Sequence, residues 1–371
     1  MTTDLHDIRH MQAALALARR GLGIVWPNPS VGCVLVKDGA VVGRGWTQPG
    51  GRPHAETEAL RRAGEQARGA TAYVTLEPCS HTGKTGPCSQ ALIDAGVARV
   101  VSAIRDPDER VSGRGIAMLQ AAGIDVTEGV CREEADAANA GFFSRVTRGR
   151  PMVTFKTATT LDGRIALENG ESQWITGERA RQYGHMIRAT HDAVLAGIGT
   201  VAADDPMLNC RLPGLEDRVP VRVVLDTTLR ISLDGKLVHS ARQIPVWIFC
   251  LPGMNPGKRA LLEDAGVHVL DCQADGDGRI DVMAMLRMLG DAGITRLMVE
   301  GGGETAASLF RAGRVDEIAW FRAGSLIGGD GRASVAGLRL DSIADMPKFN
   351  CVERRQLGPD LLEVYRLRLS R

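Results

Sequence analysis

One pattern governs what this chain can fold into, and it runs twice. Strand-like apolar runs such as "GCVLVKDG", "ATAYVTLEP", "ARVVSAI" and "IDVTEG" are separated by stretches with helical apolar spacing, "AETEALRRAGEQA", "CSQALIDAGV" and "GIAMLQAAG". Strands that alternate with helices predict a mainly parallel sheet covered on both faces. A further helix, "CREEADAANAGFF", fades into "SRVTRGRP", which is basic, poor in apolar residues and closed by Pro151. The pattern then restarts with the strand "PMVTFKTATT", the helix "GERARQYGHMIRATH" and the strands "DAVLAGIGTV", "VRVVLD", "PVWIFC" and "GVHVLDC". The helix "DVMAMLRMLGDAG", the strand-turn-helix "ITRLMVEGGGETAASLF" and closing strands in the tail complete it. At 371 residues the chain is too long for one ordinary domain. Two α/β domains are expected, 1–147 and 148–371.

Asp38-Gly39 between two strand runs is a strong hairpin signal. The N-terminal stretch carries Asp4 and Asp7 early and Arg19 and Arg20 late, which suits a helix dipole and not a signal peptide. The formal net charge is +1, so no bulk field points to nucleic acid or to an anionic membrane. No apolar run approaches the roughly 18 residues of a membrane span. These features predict a cytoplasmic protein, in which eight scattered cysteines are not a disulfide framework. Cys33, Cys250 and Cys272 read as small buried hydrophobes.

Cys79 and Cys88 differ, because they flank a polar, glycine-rich loop, "SHTGKTGP". With His54 they supply three zinc ligands whose two thiolates cancel the ion's charge. A fourth corner is then left for water, which the metal acidifies. Both cysteines follow a proline, as at the first position of a helical turn, where a thiolate is favoured. Glu56, two residues after His54, is placed to carry that water's proton to a leaving amine. His-x-Glu with a later Pro-Cys and second Cys is the zinc deaminase signature. A closed structural zinc with His81 as fourth ligand is the alternative at this point.

Ordinary deaminases have two residues between the cysteines; this chain has eight. "NPSVGCVLVKDG", "HAE" and "TLEPCSHTGKTGPC" together resemble the deaminase half of the bifunctional riboflavin-biosynthesis family, in which the longer loop is the rule. The family's usual Thr-Pro-Pro-Cys stands here as Thr85-Gly86-Pro87-Cys88. "KTATTLDGRIA", "GESQWIT", "LAGIGTVAADDPMLNCR" and "VEGGGE" resemble the reductase half of the same family, in the same order. The resemblance implies a cytidine-deaminase-like three-layer α/β/α domain followed by a dihydrofolate-reductase-like α/β domain. It implies Zn²⁺ and NADPH as cofactors and a phosphorylated pyrimidine as small-molecule substrate. It also implies two consecutive steps, hydrolytic deamination and reduction of the ribosyl side chain to ribityl.

Carried over by position, Asn28, His81 and Lys84 contact the deaminase substrate. Ala158, Trp174, Thr200, Asp204 and Thr227 line the nicotinamide nucleotide, and Gly302, Gly303, Glu304 and Thr305 hold its phosphates. Ser172, Arg188, Leu208, Arg211 and Glu300 hold the sugar-phosphate substrate. Lys156 is a candidate for assisting ring opening of the ribose. The family implies a homo-oligomer built through the reductase domain, with no nucleic-acid or membrane partner. Other functions consistent with the residues alone are a zinc-stapled nucleotide sensor and a tRNA or nucleoside deaminase with an unrelated tail.

Overall fold

Asp38 and Gly39 both have positive φ, 50° and 77°, the twist of a type I′ turn. They join β1 (Gly32–Lys37) directly to β2 (Ala40–Trp46). The structure, a computed structural model, describes residues 4–81, 86–108 and 111–368. It divides into two compact units, the first ending at Gly149 and the second beginning at Arg150.

In the first unit β3 (Thr71–Val74), β4 (Arg99–Ser102) and β5 (Asp125–Glu128) complete a five-stranded sheet in the order β2-β1-β3-β4-β5. Only β3–β4 and β4–β5 are parallel, while β1 runs antiparallel to both its neighbours. The expectation of a mainly parallel sheet is corrected here, because a two-residue turn can only join antiparallel strands. The covering helices are α1 (Leu5–Ala18), α2 (Ala55–Ala63), α3 (Cys88–Asp94), α4 (Arg114–Ala121) and α5 (Arg132–Arg148). Cys33 and Leu35 of β1 pack with Ala55, Ala59, Leu92 and Leu119 from α2, α3 and α4. The alternate residues Val34 and Val36 pack with Met11, Leu15 and Ala135 from α1 and α5. The period of two along the strand thus builds a three-layer α/β/α unit.

Two glycines bring α2 close to the sheet. A Cβ at Gly45 would meet the Ala55 carbonyl at 2.2 Å, and one at Gly43 would meet that of Ala59 at 2.3 Å. Helix α5, expected to fade after Phe143, continues to Arg148. Gly149 ends it with φ of 65°, behind Arg145 and Arg148 in the last turn.

The second unit contains β6 (Met152–Thr159), β7 (Arg164–Ala166), α6 (Glu178–Ala189), β8 (Ala193–Gly197), α7 (Ile198–Asp204), β9 (Val221–Leu225), α8 (Lys236–His239) and β10 (Val246–Cys250). It continues through α9 (Pro256–Asp264), β11 (His268–Asp271), α10 (Val282–Asp291), β12 (Arg296–Glu300), α11 (Gly303–Arg311), β13 (Glu317–Arg322), β14 (Arg332–Ala333), β15 (Phe349–Leu357) and β16 (Asp360–Leu367). The main sheet has nine strands in the order β11-β10-β9-β8-β12-β6-β13-β16-β15. Pairing is parallel from β11 to β13, and the hairpin β15–β16 adds an antiparallel edge. A separate ribbon pairs β7 with β14.

"DAVLAGIGTV" is not one strand: β8 stops at Gly197, whose extended backbone caps α7. A Cβ at Gly197 would meet Thr305 Oγ1 at 2.4 Å, so the strand ends where α11 closes on it. The carboxyl ends of the central parallel strands therefore face short helices and a glycine turn, the usual ligand position in an α/β sheet.

Candidate functional site

His54 sits at the N-cap of α2 in extended conformation, φ −70° and ψ 161°. Cys88 opens α3 behind Pro87, which is the N-cap. Cys79 lies in the coil that follows β3, so the expected helical start at Pro78-Cys79 is not found. The sulfur of Cys79 instead accepts the backbone N–H of Cys88 at 3.3 Å. Its carbonyl accepts the N–H and the hydroxyl of Ser89 at 3.2 and 3.0 Å.

His54 Nδ1 lies 3.2 Å from Cys88 Sγ and 3.7 Å from Cys79 Sγ. All three donor atoms lie within 4.8 Å of one another. Ligands bound about 2.0–2.3 Å from a tetrahedral zinc stand roughly 3.5 Å apart, so this donor set fits that ion. Hydrogen bonding with Cys88, then with His54, brings the Cys79 thiol down to about 4. The shared hydrogen bond and burial push the Cys88 thiol up.

Glu56, in the first turn of α2, is 4% exposed. Burial, helped by the negative charge of Cys79, pushes its carboxyl up to about 7. Asn28 is half-buried and donates to the Val25 carbonyl at 3.3 Å. A Cβ at Gly51 would reach the Asn28 amide nitrogen at 1.9 Å, which places Asn28 against the segment leading into His54. His81 is exposed and stands outside the three-residue metal cluster, so the four-ligand alternative has no support among the described residues. Lys84 lies outside the described residues. Cys33, Cys250 and Cys272 are free and buried.

The second unit holds a cleft of about 1040 Å³. Fourteen residues that the resemblance singled out line it: Ala158, Ser172, Trp174, Arg188, Thr200, Asp204, Leu208, Arg211, Thr227, Glu300 and the run 302–305. Glu300, at the end of β12, accepts two hydrogen bonds from Arg188, at 2.5 and 2.8 Å. Burial opposes ionisation there, but the Arg188 charge and hydrogen bonds win and hold the Glu300 carboxyl at about 2. Lys156 also lines the cleft, 3.9 Å from Glu300, and burial lowers its pKa.

Arg188 further donates to the Asn209 carbonyl at 2.9 Å. Leu208, with φ of 49°, sits in this same turn. Arg211 is close enough to Arg188 for the second positive charge to lower its pKa, after burial. Arg188 is already paired with Glu300, which leaves the Arg211 guanidinium as the cation of this turn with no carboxylate partner among the described residues. The glycine turn contributes differently from the expectation: the Gly302 N–H is taken by Thr200 Oγ1 at 3.0 Å. Helix α11 has Gly302 as N-cap, so its first-turn N–H groups, on Gly303, Glu304 and Thr305, are those available to a phosphate. The Glu304 side chain points elsewhere, to Arg279 at 2.7 Å.

The sequence reading passes over several residues. Arg230, Lys236 and Arg279 also line the cleft. In the first unit it misses Glu77, buried within an otherwise apolar strand run, which was the one signal it offered.

The family model "RibD C-terminal domain" matches residues 151–362, and "Cytidine and deoxycytidylate deaminase zinc-binding region" matches 5–104. The riboflavin biosynthesis protein RibD of Escherichia coli (strain K12) is 41% identical over 368 residues, covering 96% of this chain and 98% of that relative. Its counterpart in Aquifex aeolicus (strain VF5) is 40% identical over 96% of this chain and 97% of its own. Among solved structures, Acinetobacter baumannii RibD, form 2, has a TM-score of 0.86 at 38% identity, over 98% of this chain and 99% of that one. The Thermotoga maritima diaminohydroxyphosphoribosylaminopyrimidine deaminase/reductase has a TM-score of 0.85 at 34% identity, over the same shares.

Proposed function

This chain belongs to the RibD family of riboflavin biosynthesis, a bifunctional deaminase and reductase, and from that premise we propose which residues carry each step. The cofactors are Zn²⁺ and NADPH. Deamination is assigned to the unit ending at Gly149, reduction to the unit beginning at Arg150.

In the first unit His54, Cys79 and Cys88 would hold the zinc, which supplies a Lewis acid and an acidified water when bound. Glu56 takes a proton from the attacking water on its carboxylate and delivers it to the exocyclic amine of the diaminopyrimidinone, which leaves as ammonia. Burial favours this role, because a carboxyl poised near neutrality can both accept and release a proton. Asn28, His81 and Lys84 hold the substrate's ring and phosphate.

In the second unit NADPH supplies a hydride to the first ribose carbon when bound. Ala158, Trp174, Thr200, Asp204 and Thr227 line the cofactor, and the N–H groups at the start of α11 receive its phosphates. Ser172, Leu208 and Arg211 hold the sugar phosphate. Arg188 is committed to Glu300 and to the 208–211 turn, so it orients the site while Arg211 supplies the open cation. Lys156 donates the proton that opens the ribose ring.

No helix among the described residues is long and apolar enough to cross a membrane. Free cysteines throughout suit a reducing cytoplasm. The edge strand β15, exposed along most of its length, suits pairing with a second copy.

The observation that carries this reading is the meeting of His54, Cys79 and Cys88 beside the buried Glu56. Metal analysis with a coupled assay tests it. One zinc per chain and NADPH oxidation that begins only after ammonia release are expected. Oxidation of NADPH at full rate with the undeaminated substrate, which would thereby be reduced first, would refute the order of steps.

A further inference from the structure

A carboxylate two residues before Cys79 ties the metal turn to a distant helix. Glu77 is 3% exposed and accepts three backbone N–H groups. Gly115 donates to Oε1 at 3.0 Å, and Gly113 and Asp106 donate to Oε2 at 2.9 and 3.3 Å. Gly113 is the N-cap of α4 and Gly115 lies in its first turn, and the helix has no side-chain cap of its own. Glu77 therefore caps α4 from another part of the chain and sets a negative charge against its positive end.

The joint is also steric, since a Cβ at Gly115 would meet the Pro78 carbonyl at 1.9 Å. Further along α4, Met118 Sδ lies 3.5 Å from Ser89 Oγ, the hydroxyl that donates to the Cys79 carbonyl. Helix α4 thus grips the backbone around Cys79 at two points, through Glu77 on one side and Ser89 on the other. Asp106, whose backbone Glu77 holds, lies within electrostatic reach of His81.

Resting on the reading of His54, Cys79 and Cys88 as the metal site, we propose that Glu77 is a positioning residue for that site. It fixes the Pro78-Cys79 turn against α4, so that Cys79 meets His54 and Cys88 without rearrangement. Glu77 touches neither metal nor substrate and acts through the backbone. Groups that orient ligands in this way are worth about tenfold or more in metal affinity or activity.

The test uses the full-length, zinc-loaded chain with Glu77→Gln, Gly115→Ala and Asp7→Asn. Glu77→Gln keeps the shape but sets an amide against backbone N–H groups. Gly115→Ala strains the same joint from the helix side and leaves Glu77 in place. Asp7 is a comparably buried carboxylate of the same unit, but it pairs with Arg99 and Tyr73 on the opposite face of the sheet.

Glu77→Gln and Gly115→Ala are expected to release zinc to a chelating dye about tenfold faster, and to lower kcat for ammonia release about tenfold at saturating zinc. Asp7→Asn is expected to lower the melting temperature without either change. Reduction of already deaminated substrate stays within about twofold in all three. Unchanged zinc release and kcat in both joint variants, or equal losses in Asp7→Asn, overturn the proposal. If Glu77→Gln does not fold, Gly115→Ala decides by the same criteria. Failure of the unmutated chain to bind zinc overturns the site reading and this proposal with it, and is recognised because the parent fails.

Discussion

Glu56 and Glu300 are two carboxylates withdrawn from water, one in each unit, and their neighbours drive them in opposite directions. Glu56 has the Cys79 thiolate nearby, so burial and negative charge together raise it to about 7. Glu300 is clasped by the Arg188 guanidinium and held at about 2. The first suits a group that gains and loses a proton, the second a group that never does. The two sites differ in the same sense. One gathers three donors within 4.8 Å around a movable proton. The other spreads fixed charges around a cleft of about 1040 Å³.

Substitution of the same kind in each carboxylate gives the sharpest way to break that contrast. Glu56→Gln is expected to lower ammonia release about a thousandfold, within the range of a lost general acid–base group. Zinc content and reduction of deaminated substrate should not change. Ammonia release near the parent rate would remove Glu56 from proton transfer and erase the difference in role.

Glu300→Gln should act on stability as well as on reduction. The folded carboxyl lies below its ordinary value of 4.5, at about 2. Such a group stabilises the fold at pH values above its unfolded pKa, and that contribution is lost as pH falls through the folded value. The shift corresponds to roughly 3 kcal/mol at neutral pH. The variant should therefore unfold at lower denaturant at pH 7, and the gap to the parent should narrow as pH falls from about 5 toward 2. An equal gap at pH 7 and pH 3 would mean that the ion pair does not set Glu300's charge. The reductase readings would then need another anchor.

The contrast also explains what could be read before the fold was known. The deaminase site is written in short stretches: His54 and Glu56 two residues apart, and two cysteines that each follow a proline. Each carries chemistry that needs those residue types. The reductase positions, from Ala158 to Thr305, had no such local logic and were reached only through the family resemblance. "VEGGGE" alone was as consistent with a plain turn.

The local misreadings have two physical sources, a tertiary contact that decides where a strand ends and a hairpin whose consequence for the sheet outweighs the strand-helix alternation. Thr305 stops β8 at Gly197, and the Asp38-Gly39 hairpin sets β1 antiparallel in a sheet expected to be mainly parallel. The role of Glu77 was not legible from its apolar surroundings in the sequence, because the N–H groups it receives lie 29, 36 and 38 residues away. Its meaning exists only once α4 is in place.

The smallest expected effect concerns which cofactor the spread-out site prefers, and it depends on one of the residues the sequence reading passed over. Arg230, Lys236 and Arg279 bring positive charge to the cleft that Thr227 also lines. Lys236 is paired with Asp205 at 3.6 Å, and Arg279 with Glu304 at 2.7 Å. Of these three, Arg230 alone has no carboxylate partner among the described residues, and its guanidinium is expected to meet an added phosphate near Thr227. An exposed cation–phosphate contact is worth about 1.5 kcal/mol, roughly tenfold in binding. Arg230→Ala should then raise KM for NADPH about tenfold and leave KM for NADH within about twofold. The effect should shrink as salt rises, because the contact is exposed. If KM rises equally for both cofactors, Arg230 holds a group they share, and selectivity for the phosphate lies with another residue of the cleft.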